Sequence, residues 1–298
     1  MTLLWLTGCL FLATPPSSVR DGRDPDDTSN PNDTDDWVPV SASPAIDVAS
    51  ALGNMCTAHE NGEVNCIHGS MASSIEPYPQ GMVELGAGLY HFCGLDDVGM
   101  AECWGVGEGV DNPPPSVVLS GLSVGENYAC AIQSDDTVVC WGDDAQGRAT
   151  PMLGEFASVH AGDLTTCALK SDGSARCWGE DRKALDAPPA GSYTTIAMGA
   201  FQACALTTDK SIVCWGDDLY GDQQVPEGNN FVVLDAGLDH FCAIDDTDAV
   251  FCWGGDQYFT ASGPGESTRL KTLDAGVQAA CGIDADGNVE CWGSPDWD

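Results

Sequence analysis

Fifteen cysteines carry the reactive chemistry of this 298-residue chain, and fourteen of them obey one spacing. They form seven pairs with members ten positions apart: Cys56/Cys66, Cys93/Cys103, Cys130/Cys140, Cys167/Cys177, Cys204/Cys214, Cys242/Cys252 and Cys281/Cys291. Paired thiols either oxidise to a disulfide or coordinate a metal. Zinc sites favour spacings of roughly two to four residues within a pair, completed by histidine or a second pair. The pairs here are locally complete without histidine partners, so disulfides are the expectation. Each bridge closes a loop of about ten residues and contributes on the order of 2 to 3 kcal/mol in the chain-entropy model. Bridges of this kind persist outside reducing compartments.

A bridge between residues ten apart requires an element that holds them side by side. An even spacing of ten centres the hairpin on a residue, which demands an odd loop, and a three-residue loop is the commonest of those. Its third residue adopts the left-handed conformation that glycine tolerates best. That position, six after the first cysteine, is Gly62, Gly99, Gly173 and Gly287, with Asp136, Lys210 and Asp248 in the other repeats. Counting outward from the loop, the two cysteines meet at a non-hydrogen-bonded pair, where side chains approach most closely.

From one pair to the next the chain advances 37, 37, 37, 37, 38 and 39 residues, so one unit is copied seven times. Apolar residues stand eleven before the first cysteine (Met82, Leu119, Phe156, Tyr193, Phe231, Leu270) and eight before it (Leu85, Leu122, Val159, Ile196, Leu234, Leu273). Glycine follows at five before it, and the second cysteine opens a Cys-Trp-Gly triplet around Trp104, Trp141, Trp178, Trp215, Trp253 and Trp292. Short aliphatic and aromatic runs punctuated by Gly, Asp and Pro indicate three short antiparallel strands per repeat. One such unit cannot bury both faces of its sheet, and seven suit radial closure into an all-β, seven-bladed β-propeller. Alternation along the last strand puts the cysteine on one face and the following Trp on the other. Each blade is therefore expected to offer its disulfide to one neighbour and its indole to the next.

Glycine, four residues, Cys-Ala-Leu, an Asp-Gly turn and Cys-Trp-Gly together resemble the repeat of the regulator of chromosome condensation family, especially its short bacterial form. The resemblance covers residues 45 to 293. It implies a seven-bladed propeller and, from the inhibitors of β-lactamase within that form, a protein enzyme as one kind of target. Repeat one departs from the pattern, with Ala51 in place of the glycine and Cys66-Ile67-His68-Gly69 in place of Cys-Trp-Gly. Ring closure is expected from packing of blade seven on blade one, with Trp37 to Val40 adding an edge strand to blade seven.

Residues 1–14 form an apolar run of signal-peptide length, too short for a conventional membrane span. Leu6-Thr7-Gly8-Cys9 resembles a bacterial lipobox, and Cys9 is the cysteine left over by the pairing. A lipid anchor at Cys9 on a bacterial outer-membrane or cell-surface protein and an ordinary cleaved leader on a secreted one both fit. Residues 15–36 hold almost no apolar residue and cannot offset their ordering entropy by burial, so 15–44 are expected to be an acidic disordered tether, and 45–298 hold the repeats.

The net charge of −36, from 46 acidic residues against 10 Lys plus Arg, repels phosphate backbones and excludes nucleic acid as a partner. With the disulfides, it also excludes a nuclear role. A monomer is expected, with contact to a membrane only through Cys9.

Between the glycine and the first cysteine the residues vary from repeat to repeat against a constant frame, as loops that bind a partner do on a rigid scaffold. Candidate rim residues are Leu89, Tyr90, His91, Asn127, Tyr128, Phe201, Gln202, Asp239 and His240. Acids after the Trp-Gly, Asp144, Asp181, Asp218 and Asp256, are weak calcium candidates. Their plainer use is to accept backbone N–H bonds in the next turn. No nucleophile elbow, zinc-helix motif or phosphate loop appears in the sequence. The reading is a non-catalytic extracytoplasmic propeller, without a cofactor, that binds a protein at one ring face. A glycan-binding propeller is the alternative, and a hydrolase or lyase with a central-channel site a weaker one.

Overall fold

The computed structural model describes residues 43–293 apart from 53, 69–77, 106–109, 111, 181–184, 218–223, 229, 256–261 and 278. Cys9, the leader, residues 15–42 of the tether and the expected strand at Trp37 to Val40 lie outside the described residues.

Seven three-stranded antiparallel sheets follow one another along the chain, each with its strands in chain order. The first comprises Ala45–Ala51, Asn54–His59 and Val64–His68. The seventh comprises Asp274–Ala275, Ala279–Ile283 and Val289–Gly293. First strands of neighbouring sheets touch one another and line a common cavity, which makes them the innermost strands of a seven-bladed β-propeller.

The hairpins have the expected form. In blade two Asp96 N–H donates to Met100 C=O at 3.0 Å and Gly99 N–H returns to Asp96 C=O at 3.0 Å. The sixth residue after the first cysteine is left-handed in every repeat, from Gly99 at φ 83° to Asp136 at 63°, Lys210 at 66° and Asp248 at 68°. Register then sets each cysteine opposite its partner. All seven expected disulfides form, Cys56–Cys66, Cys93–Cys103, Cys130–Cys140, Cys167–Cys177, Cys204–Cys214, Cys242–Cys252 and Cys281–Cys291, across Cα separations of 4.0 to 4.1 Å.

The two halves of a bridge are not equally covered. The first cysteine of every pair lies on the middle strand and is at most 1% exposed. Among the second cysteines, Cys66, Cys103, Cys140, Cys177, Cys214 and Cys252 are only half-buried, while Cys291 is buried. Position in the blade is the reason. The third strand is the outer edge of its sheet, paired on one side only, so its sulfur sits at the margin of the interface and not within it.

The core is divided among the seven interfaces between blades. In one, Cys167 and Leu169 of blade four, with Cys177 at the margin, pack on Tyr193, Ile196, Ala203 and Trp215 of blade five. In the next, Cys204 and Leu206 of blade five, with Cys214 at the margin, meet Phe231, Leu234, Phe241 and Trp253 of blade six. Disulfide face thus meets indole face around the ring. Trp178 and Trp215 also donate their Nε1–H to Arg148 and Leu185 carbonyls at 3.1 and 3.0 Å, tying the linker between blades to the sheet.

Closure uses the same contacts. Cys281, Ile283 and Cys291 of blade seven pack on Ala45, Val48 and Met55 of blade one. Ile67 stands where other blades carry Trp, and Met55 Sδ lies 3.1 Å from Cys281 Sγ. Ala45 N–H donates to Gly287 C=O at 3.0 Å, just as Tyr193 N–H donates to Gly173 C=O and Leu119 N–H to Gly99 C=O. Blade one is therefore a full member of the ring despite its altered sequence.

Candidate functional site at the channel mouth

The hairpins project on one side of the ring, and the short turns joining inner to middle strands project on the other. This turn face holds the segment between glycine and cysteine. Neighbouring turns are hydrogen-bonded into a belt: Leu52 N–H donates to Leu89 C=O at 3.1 Å, Leu89 to Glu126 at 3.2 Å, and Ala200 to Leu238 at 3.0 Å. In repeats two to seven glycine allows this close approach, where repeat one has Ala51. A Cβ on Gly88 would sit 2.4 Å from Gly125 O and 2.2 Å from His91 Cε1, and one on Gly237 would sit 2.2 Å from both Gly276 O and His240 Cε1.

The same crowding corrects part of the expected rim. His91, Tyr128, Gln202 and His240 all occupy the second position before the cysteine, and each is at most 2% exposed. Their side chains turn under the belt and fill space between blades. Burial holds the His91 imidazole down to about 4, hence neutral. Tyr128 hydroxyl bonds Thr166 Oγ1 at 2.7 Å, the Arg148 guanidinium lies 5.2 Å from its ring centre, and burial pushes its phenol up. None of the four can serve as a contact anchor on the folded ring. Leu89, Asn127, Phe201 and Asp239 are half-buried at the turns, and Tyr90 is exposed at 49%. Leu238, beside the rim candidate Asp239, is 41% exposed.

These turns surround the mouth of a central cavity of about 240 Å³. Leu89, Glu126, Asp163, Ala200, Leu238 and Val277 form its collar. Below the collar come the glycines, and deeper still Asp235, Asp274 and His160.

The deep carboxyls were not anticipated, because polar residues in a strand are ordinarily read as solvent-facing. They and carboxyls of neighbouring inner strands instead clamp one inner strand to the next at four of the ring's junctions. Asp47 Oδ2 accepts from Leu85 N–H at 2.7 Å, Glu84 Oε1 from Leu122 N–H at 2.8 Å, and Asp235 Oδ2 from Ala275 N–H at 2.7 Å. Asp274 Oδ2 accepts from Ser50 N–H at 2.6 Å and from the Ser50 hydroxyl, across the ring seam. Ser123 Oγ plays the same part for Ala161 N–H at 2.8 Å. The available signal was positional, since these residues all stand seven or nine before a first cysteine.

Burial pushes Asp47 up to about 7. It also raises Asp235 and Asp274, with repulsion from the Asp235 carboxylate adding to Asp274. Glu84 is raised by burial as well. His160 is held down to about 4 by burial and shares a 2.9 Å hydrogen bond with Ser158.

Of the calcium candidates, Asp144 has both oxygens engaged, by Ala149 N–H at 2.8 Å and Thr150 hydroxyl at 2.5 Å. It orders the turn after the Trp-Gly. Asp181, Asp218 and Asp256 lie outside the described residues, among which no three acidic, His or Cys side chains converge as metal ligands.

Fold and site together define a disulfide-stapled seven-bladed propeller whose turn face opens on an acid-lined channel. Residues 156–183, 193–222 and 231–259 match the model of the regulator of chromosome condensation (RCC1) repeat, so blades four to six carry RCC1 repeats. No curated protein matches it significantly in sequence. Among solved structures, the ectodomain of the Physcomitrella patens receptor kinase CR4 is similar, at 25% identity and a TM-score of 0.72 over 85% of this chain and 74% of that one. The CRINKLY WD40 ectodomain of the Arabidopsis thaliana receptor kinase ACR4 aligns at 24% identity and 0.68, over 85% of this chain and 97% of that one. Prp20p of Saccharomyces cerevisiae shares the fold at 14% identity and 0.65, over 84% of this chain and 82% of that one.

Proposed function

We propose that this protein is a rigid scaffold that works outside the cytosol and binds another protein through its turn face, without catalysis. The observation that carries the reading is the contrast between frame and turns. Seven disulfides and seven packed interfaces hold a belt whose third residue before the cysteine changes from blade to blade, as Tyr90, Asn127, Phe201 and Asp239 show. Such preorganised side chains lose little entropy on binding. Two further facts support it: similar propellers form the ectodomains of receptor kinases CR4 and ACR4, and the structure of Prp20p was described with its binding to Gsp1p and histones. The disulfides favour an extracytoplasmic address, reached either with a lipid on Cys9 or as a secreted chain with residues 1–14 removed.

A photocrosslinking residue at Tyr90, compared with one at Val98 on the hairpin face, tests the reading on the intact cell surface or periplasm. Adducts with one protein from Tyr90 and none from Val98 are expected. Adducts only from Val98 would move the site to the other face, and adducts from neither position would remove the scaffold reading.

Asp235 and Asp274 favour a second reading, since a pair of carboxyls with raised pKa beside a cavity meets the first requirement of general acid–base hydrolysis. Their clamp bonds to Ala275 and Ser50 favour the structural role. Turnover of a glycan or ester panel that Asp274→Asn abolishes would reverse that judgement.

A further inference from the structure

We propose that the turn face receives a loop of a protein partner that seats one Lys or Arg side chain in the central channel. The aliphatic stem would lie against Leu89, Leu238 and Val277, and the charge would stand above Asp235 and Asp274. This rests on the protein-binding reading and adds the chemistry of the partner.

The collar is mainly apolar: Leu89, Ala200, Leu238 and Val277 border the mouth, with Tyr90 and Leu238 exposed at its edge. The lining carries four carboxyls, Glu126 and Asp163 within the collar and Asp235 and Asp274 below it, and no Lys or Arg among the described residues. The nearby cation, Arg148, is buried and held by Asp143 at 2.6 Å and Glu126 at 3.6 Å, so it neutralises the Glu126 side and leaves the deeper pair without a countercharge. His160, the basic group of the lining, is neutral because burial holds it near 4.

A long basic side chain has the matching profile, an apolar stem that prefers contact with hydrocarbon and a charged head that does not. Space agrees with this. Glycines at the fifth position before the first cysteine in six of the seven repeats strip the belt of side chains, and about 240 Å³ accommodates one extended side chain but no folded element. A bare metal ion fits poorly, since no three ligating groups converge among the described residues. At longer range, a net charge of −36 steers a basic surface toward the ring. A seated cation also draws protons from Asp235 and Asp274, so binding should tighten as pH rises through the range in which they ionise.

The test is a titration of the full chain with a cyclic peptide presenting Leu-Arg-Phe at its turn, beside the same peptide with citrulline in place of Arg. The Arg peptide should bind about tenfold or more tightly than the citrulline peptide. Its advantage should grow from about pH 5.5 to about pH 8 and shrink with added salt. Leu238→Lys, at an exposed collar position remote from the clamps, should abolish binding of the Arg peptide without moving the thermal midpoint. Asp235→Asn with Asp274→Asn should erase the preference for Arg. Equal affinities for the two peptides, no binding of either, or an unaffected Leu238→Lys variant would overturn the inference. A natural partner crosslinked only at Val98 would also overturn it, while leaving the scaffold function in place.

Discussion

Replacing Asp47 with Asn should reverse the stability ranking of variant and wild type between acid and mildly alkaline solution. The carboxyl lies between the inner strands of blades one and two, accepting Leu85 N–H at 2.7 Å and Val48 N–H at 3.0 Å. Burial raises it from 3.8 to about 7, with the Asp274 and Glu84 carboxyls adding repulsion. The folded ring therefore keeps a proton that the unfolded chain has already released. That contribution is fully present below pH 3.8 and is lost as pH rises through about 7. At about 1.4 kcal/mol per tenfold change in proton affinity, the loss reaches about 4 kcal/mol above that range. Asn cannot ionise and so escapes it, but it gives up one acceptor, worth about 1 kcal/mol. The variant should be about 1 kcal/mol less stable than wild type near pH 4 and up to about 3 kcal/mol more stable near pH 8. Urea unfolding of the two oxidised proteins, paired at each pH, cancels the repulsion of surface carboxylates common to both. Parallel stability curves across that interval would refute the assignment of a buried, protonated Asp47.

Asp136→Gly should stabilise the ring by about 0.5 to 1 kcal/mol and raise its thermal midpoint, because φ is 63° there and glycine bears no Cβ penalty. Gly88→Ala should cost about 2 to 4 kcal/mol in urea, since its Cβ would meet His91 Cε1 at 2.2 Å and Gly125 O at 2.4 Å. Trp215→Phe should cost about 1 to 3 kcal/mol by orphaning the buried Leu185 carbonyl that Nε1–H now satisfies at 3.0 Å. Tyr128→Phe should lower stability by about 1 kcal/mol through loss of the bond to Thr166. Tyr90→Ala, by contrast, should leave stability within about 0.5 kcal/mol, and finding equal effects would show that the two tyrosines were wrongly separated into core and rim.

Legibility in the sequence followed the range of the forces involved. Disulfide pairing, hairpin loop and strand count depend on residues within ten positions of one another, and the spacing of Cys130 and Cys140 already contains that geometry. Even the left-handed backbone at Asp136, Lys210 and Asp248 follows, because the loop length requires it whatever residue is present. Repetition then implied the ring, since a single sheet with an apolar face on each side has to find two neighbours. How deeply each sulfur is covered did not follow, because Cys103 and Cys252 differ from Cys93 and Cys242 only in standing on the outer strand of a packed blade.

Choosing which turn residues face outward was beyond local reasoning. Tyr90 and His91 are adjacent, yet one is exposed and the other buried, the His91 ring lying beneath Gly88, where a Cβ would meet its Cε1 at 2.2 Å. The same holds for Asp47, Asp235 and Asp274. In sequence they look like ordinary acids of a highly charged surface. Only the approach of a neighbouring strand supplies the unpaired N–H each one accepts, and with it the burial that makes them protonate. Residue spacing determined the blade; the blade next door decided what its polar side chains do.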